Sequence, residues 1–232
     1  NNVVGYTSRE KTDTAFVEKH IQTMLRQNGF YVTVKIFRRL PDYTARLETM
    51  WEHREALEKM ALDIWAKPEA GFREFNATKL QQDYLKNMGA KITSPVDVVE
   101  TAFIAEYGSG KPIIGILGEF DALPGLSQKA GLTVQDPLEP GAYGHACGHN
   151  LLGTAGVLAF AALMDTMKEE NLPGTLRFYA CPAEENLSGK SYMARAGVFN
   201  DLECCLTYHP GNQDAVSGGS NNAYTLMEFY FK

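Results

Sequence analysis

The sequence predicts an α/β fold, with helices flanking a mostly parallel or mixed sheet. Three observations carry that prediction. Short apolar runs of strand composition alternate with segments of helical period. Several of the strand-like runs end in polar residues. The segment 151–167 is helical in period and apolar nearly all round, as a helix buried against a sheet should be.

Taken in order, residues 1–49 read as a modest helix and then a strand. Val17, Ile21, Met24 and Leu25 share one helical face, and Gly29 stops it. Phe30, Val32, Val34 and Ile36 then alternate with more polar neighbours. Leu57, Met60, Ala61, Ile64 and Trp65 form the apolar stripe of a clearer helix, which Pro68 ends. A second helix carries Ala77, Leu80, Tyr84, Leu85 and Met88 on one face and terminates at Gly89. Strands are expected over 102–107 and 112–117, the latter a continuous apolar run suited to burial on both faces. Residues 122–143 hold Pro124, Pro137, Pro140, Gly125, Gly131 and Gly141 without any period, a loop long enough to suggest a function. After the helix over 151–167 come a strand over 175–181, a short helix over 191–196, and strands over 204–208 and 224–231.

Composition narrows the function classes. A formal net charge of -6 supplies no global basic field for nucleic acid. By our reading no stretch reaches the roughly 18 consecutive apolar residues of a membrane span, and no secretory signal opens the chain. The 4 cysteines, Cys147, Cys181, Cys204 and Cys205, make no disulfide framework. Reduced thiols and a cytoplasmic setting follow as the expectation.

The chemistry collects at strand ends. Glu119 and Asp121 follow one strand, Glu184 and Glu185 another, and His209 a third. In open α/β sheets, ligands bind beyond the carboxyl ends of the strands. Cys147 and His149, flanked by Gly144 and Gly148, precede the buried helix and can reach the same edge. Taken alone, a Cys-x-His pair is equally a tight turn with a buried thiol, or a cysteine nucleophile activated by histidine. Adjacent Glu184 and Glu185 repel each other unless a cation sits between them, and with a metal present one can ligate while the other takes a proton from water. As isolated features they are also ordinary solvated acids. His209 alone is as readily structural, and Asp121 is either a cap or a residue orienting a ligand. Glu119 has the weaker claim of that pair. Cys181, Cys204 and Cys205 read as core thiols.

In order, the segments GEFDALPG at 118–125, GHACGHNLLG at 144–153, PAEE at 182–185, GVF at 197–199 and TYHP at 207–210 resemble the dinuclear metallopeptidases that include aminoacylases and hippurate hydrolases. The long insertion before GHACGH is most similar to the branch that holds the aminobenzoyl-glutamate hydrolase B-subunit. The resemblance covers roughly residues 54 to 232, so we divide the chain into an extension at 1–49 and a partial catalytic domain at 50–232. It implies a zinc-exopeptidase-like fold and two divalent metal ions, zinc or manganese. Cys147, His149, Glu185 and His209 match metal ligands, Glu184 matches the general base, and Asp121 matches an acid near the metals. His145 matches no ligand, and Glu119 stands where the pattern usually has histidine. The resemblance further implies hydrolysis of an N-acyl amino acid or dipeptide-like amide, and aminobenzoyl-glutamate in the branch named. The family's lid and dimerisation domain, with its last metal-binding histidine, is expected beyond Lys232, and with it a homo- or heterodimer. The alternatives are an inactive fragment or non-catalytic module, and a metal-free cysteine hydrolase using Cys147.

Overall fold

The computed structural model describes residues 49–186 and 188–211. The helix and strand expected before residue 49 and the strand over 224–231 lie outside these residues. Within them the elements are α1 (Arg54–Ala66), α2 (Phe75–Asn87), β1 (Lys91–Thr93), β2 (Phe103–Ser109), β3 (Ile113–Glu119), α3 (His149–Glu170), β4 (Gly174–Cys181), α4 (Gly189–Arg195) and β5 (Cys204–Leu206). The β1 strand is an addition to the sequence reading. It is only three residues long and has no hydrophobic alternation to announce it.

The sheet runs β1-β2-β4-β3-β5 and is mixed. β1 and β2 pair antiparallel, as do β2 and β4, while β4, β3 and β5 are mutually parallel. The carboxyl ends of three neighbouring strands therefore open on one edge.

Side chains alternate across this sheet with the strand period of two. Leu176, Phe178 and Ala180 of β4 join Phe103, Ala105 and Ile116 in the larger core, which α1, α2 and α3 cover. Tyr179 and Cys181 point the other way, into a second core with Val96, Ala102 and Met193 of α4. In α1, Leu57, Met60, Ala61 and Ile64 are buried as the stripe requires, and Trp65 is half-buried. The buried face of α2 is turned relative to expectation. Thr78 and Gln81 are inside with Ala77 and Leu85, while Leu80, Tyr84 and Met88 are half-buried. The Thr78 hydroxyl donates to the Thr101 carbonyl at 2.8 Å, which makes a polar residue acceptable there.

By length and composition, α3 is apolar enough to cross a membrane, contrary to our reading of the sequence. Its Val157, Phe160 and Met164 are fully buried in the larger core, so it packs as the central helix of the domain. Leu151 and Leu163 are exposed, so it is not buried all round as expected.

Residues 122–143 form neither helix nor strand, as expected, but the loop is tied together. Leu123 and Gly144 exchange backbone hydrogen bonds at 3.1 and 3.0 Å, and the Ser127 amide donates to the Ala142 carbonyl at 3.1 Å. A Cβ on Gly144 would overlap the Leu126 carbonyl oxygen, so only glycine lets the loop close against the start of the GHACGH run.

Candidate metal centre

The site is assembled at the shared strand edge. Glu119 is the last residue of β3 and pairs in register with Cys181, the last of β4. Asp121 lies two residues beyond the first strand and Glu184 three beyond the second. The α3 helix begins at His149, and Gly148 before it adopts φ 76°, a left-handed conformation that turns the chain between Cys147 and His149. The amino end of α3, with its partial positive charge, thus faces the acids and offsets part of their repulsion.

His149 is the centre of the cluster and is fully buried. Its Nδ1 lies 3.0 Å from Asp121 Oδ1 and 3.1 Å from the Asp121 carbonyl oxygen. Both partners are acceptors, so Nδ1 carries the proton and donates. Nε2 then faces Glu119 Oε2 at 3.3 Å, Glu184 Oε2 at 3.8 Å and Glu185 Oε1 at 4.0 Å. It makes a hydrogen bond with none of them, and Glu185 Oε1 is likewise buried without a hydrogen-bond partner among the described residues. Asp121 has a second task. Its Oδ2 accepts from the Glu185 amide at 2.9 Å, so one carboxylate fixes both the imidazole and the backbone of an acid opposite.

His209 is oriented in the same way. Its Nδ1 donates to the Pro210 carbonyl at 2.9 Å, which leaves Nε2 as the acceptor, 3.2 Å from Cys147 Sγ. The two imidazoles meet edge to face with centroids 6.0 Å apart. Among the described residues, two groups of donors have their atoms within 4.8 Å of one another: Cys147, His149 and His209, and Glu119, His149 and Glu184. The arrangement of a histidine held at Nδ1 by a carboxylate or carbonyl, with Nε2 presented to the other donors, is that of a metal ligand with its supporting partner.

The electrostatics agree. Burial would lower the His149 pKa, but the hydrogen bond and charge of Asp121, and the charges of Glu119 and Glu185, raise it above the ordinary value. Burial would raise Asp121, yet its bonds to His149 and the Glu185 amide hold it below the usual carboxylate range. Burial pushes Glu184 up, with Glu119 adding to the rise. Burial, followed by the charge of Glu185, pushes the Cys147 thiol up to about 11.

Every residue that the sequence pointed to is therefore at this edge. Cys147, His149, Glu184, Glu185, His209 and Asp121 converge, and His145 belongs to neither donor group. Two residues were undervalued. Glu119 has the carboxylate nearest to His149 Nε2, and its two-residue spacing from Asp121 at a strand end was the available signal. Lys190 was missed. It reaches back from α4 to lie 2.5 Å from Glu119 Oε1, a contact between distant segments that no local pattern announces.

The model of peptidase family M20/M25/M40 matches residues 115–223, a span that includes every residue of this cluster. The chain is 45% identical over 157 residues to a p-aminobenzoyl-glutamate hydrolase subunit of Escherichia coli, covering 68% of this chain and 33% of that protein. It is 27% identical over 185 residues to human Xaa-Arg dipeptidase, covering 73% of this chain and 38% of the relative. The chain thus spans a third to two fifths of the length of these relatives. Among solved structures, a dinuclear metal-binding M20 peptidase of Bacillus subtilis superposes with a TM-score of 0.54 at 29% identity, covering 71% of this chain and 43% of that one. An aminobenzoyl-glutamate utilization protein of Klebsiella pneumoniae shares the fold, with a TM-score of 0.54 at 17% identity over 72% of this chain and 46% of the other.

Proposed function

We propose that this chain supplies the metal-binding half of a divalent-metal-dependent amide hydrolase acting on an N-acyl amino acid or dipeptide-like amide. The 45% identity to one component of an aminobenzoyl-glutamate hydrolase makes aminobenzoyl-glutamate the first substrate to try, and the naming of that relative as a subunit favours a hetero-oligomer. The observation that carries the reading is His149 Nε2. A lone pair buried among three carboxylates is repelled by all of them unless a cation, a proton or a metal ion, stands between.

The donor set fits metal. Cys147, His149, Glu185 and His209 would hold two divalent ions, with thiolate and imidazole suiting zinc and the carboxylates allowing manganese. When bound, such ions polarise an amide carbonyl and lower the pKa of water. Glu184 would take the proton from the attacking water and pass it to the leaving amine, and its raised pKa brings it closer to the working range of such a shuttle. Asp121 would hold the His149 tautomer and the Glu185 backbone. Glu119 stands close enough to share the ligand role.

A metal-free cysteine hydrolase is disfavoured by the site itself. A nucleophilic cysteine needs a lowered pKa, and burial, followed by the acids around Cys147, raises it instead.

The test is zinc and manganese binding by the chain, with turnover of aminobenzoyl-glutamate measured in the full-length protein. Glu184→Gln should keep its metal and lose nearly all turnover. Fewer than about one ion per chain at neutral pH would sink the metal reading, and near-normal turnover in the variant would remove Glu184 as the base.

A further inference from the structure

Glu74 is fully buried, 0% exposed, at the start of α2. A carboxylate at a helix start ordinarily caps the helix, but this one makes no such bond. Glu69 does that work, accepting from the amides of Asn76 and Ala77 at 2.9 Å each. The Glu74 carboxylate is committed elsewhere. Its Oε1 accepts from the Ala183 amide at 2.7 Å, and its Oε2 accepts from the Thr101 hydroxyl at 2.8 Å.

Ala183 is the residue immediately before Glu184 and Glu185, and it is held at φ 53°, in the left-handed region that a residue with a Cβ avoids. It is also fully buried. The reversal at Ala183 is what takes the chain out of β4 and swings the two acids over the strand edge toward His149. Its surroundings leave no slack. A Cβ on Gly189 would overlap the Pro182 carbonyl oxygen, and one on Gly71 would meet the Ala183 Cα at 3.0 Å.

We infer that Glu74 is a positioning residue, whose buried carboxylate holds Ala183 in its left-handed turn and thereby aims Glu184 and Glu185 into the site. The strain of the turn is offset by the hydrogen bond from the Ala183 amide to a buried carboxyl oxygen. Thr101 fixes the second oxygen, so the carboxylate cannot rotate away. The aiming role rests on the metal-site reading, and the turn-holding role does not.

The experiment compares the unaltered chain with E74A, E74Q and the double variant E74A/A183G. Two readouts are taken. Amide hydrogen exchange over residues 183–186 is followed in metal-free protein, and zinc affinity is measured by chelator competition. E74A should speed exchange at the Ala183 amide by at least tenfold and weaken zinc by at least tenfold. E74Q keeps an acceptor oxygen, so it should stay within about threefold of the unaltered chain in zinc affinity. In the double variant, glycine adopts the turn without strain, so zinc affinity should return to within about threefold even though the hydrogen bond is absent. A merely structural role would not be rescued by removing a methyl group at residue 183. Unchanged exchange in E74A overturns the turn-holding role. Lost affinity that A183G fails to restore overturns the aiming role. If E74A does not fold, the double variant and E74Q carry the same comparison. If the unaltered chain binds no zinc, the metal-site reading and the aiming role fall together, and the turn-holding role is decided by exchange alone.

Discussion

The Lys190 ammonium lies 2.5 Å from Oε1 of Glu119, inside the group of acids at the ends of β3 and β4. Burial would lower the lysine pKa, but the hydrogen bond and charge of Glu119 raise it above the ordinary value, so Lys190 is a fixed cation in this cluster. Glu119 is 7% exposed, and removing its partner leaves a buried carboxylate beside Glu184. Breaking a fully buried pair costs about 3–5 kcal/mol. The lysine side chain is 36% exposed, so solvent screening reduces the expected loss for Lys190→Met to about 1–2 kcal/mol in metal-free protein. Adding Glu119→Gln should restore at least half of it, because the pair is coupled. Urea unfolding of the two variants checks this, and a loss below about 0.5 kcal/mol in the single variant would show that Lys190 is dispensable to the cluster.

How far the sequence reaches can be judged from these same residues. The stripe of α1 was legible because helix period alone places Leu57, Met60, Ala61 and Ile64 together. The convergence of acids and histidines was legible because parallel strands deliver their ends to one edge. The roles of Lys190 and Glu74 were not. Lys190 meets Glu119 only because α4 packs on the sheet face that carries Tyr179 and Cys181, and Glu74 meets Ala183 across 109 positions of chain. The buried face of α2 was misjudged for a related reason. Thr78 is inside because Thr101 supplies an acceptor, and a periodicity of apolar residues cannot register a polar residue that finds its partner elsewhere.

The His149–Asp121 pair predicts how stability follows pH in metal-free protein. The folded pKa of His149 is raised above its unfolded value of about 6.5, so its contribution is complete below that pH and is lost as pH rises through the folded value. The folded pKa of Asp121 is depressed, so its contribution is complete above about 3.8 and is lost as pH falls through the folded value. The pair therefore stabilises most between about pH 4 and 6.5. His149→Gln should flatten the alkaline decline in melting temperature above that window. Saturating zinc should reverse the decline, because a metal needs the unprotonated Nε2 and binds better as pH rises. An alkaline limb that is identical in the variant would place its origin elsewhere.

Cys147 should be unreactive for a half-exposed thiol. Its pKa is pushed up to about 11, so only a very small fraction is thiolate near neutrality in metal-free protein. The rate of alkylation by iodoacetamide at Cys147 should rise about tenfold per pH unit between pH 7.5 and 9.5, without levelling off. Glu185→Gln removes the charge that does most, after burial, to raise this thiol, and should speed the reaction at fixed pH. Peptide mass spectrometry resolves Cys147 from Cys181, Cys204 and Cys205. A plateau reached by pH 8 would mean an activated thiol and would revive the cysteine-hydrolase reading.

The packing of α3 on the end of β3 sets the geometry of the whole centre, and Gly153 is where the two touch. A Cβ there would stand 2.6 Å from the Glu119 carbonyl oxygen and 3.3 Å from the Phe120 Cβ. The obstacle is backbone, which cannot swing aside as a side-chain tip can. Gly153→Ala should therefore force the helix and strand apart and cost about 1–3 kcal/mol, the usual range for overpacking. Because Glu119 and Phe120 lead directly into Asp121, the same displacement stretches the 3.0 Å contact between Asp121 Oδ1 and His149 Nδ1. The His149 pKa, followed by NMR in metal-free protein, should then fall toward its ordinary value. Gly156→Ala is the control. Its Cβ overlaps only the ring of Phe178, at 2.8 Å, and makes ordinary contact with the β3 backbone at Leu117 and Gly118, so it should lower stability while leaving the His149 titration in place. Equal pKa changes in the two variants would mean that the titration reports general loosening of the helix, and not the seat that Gly153 provides for His149 against Asp121.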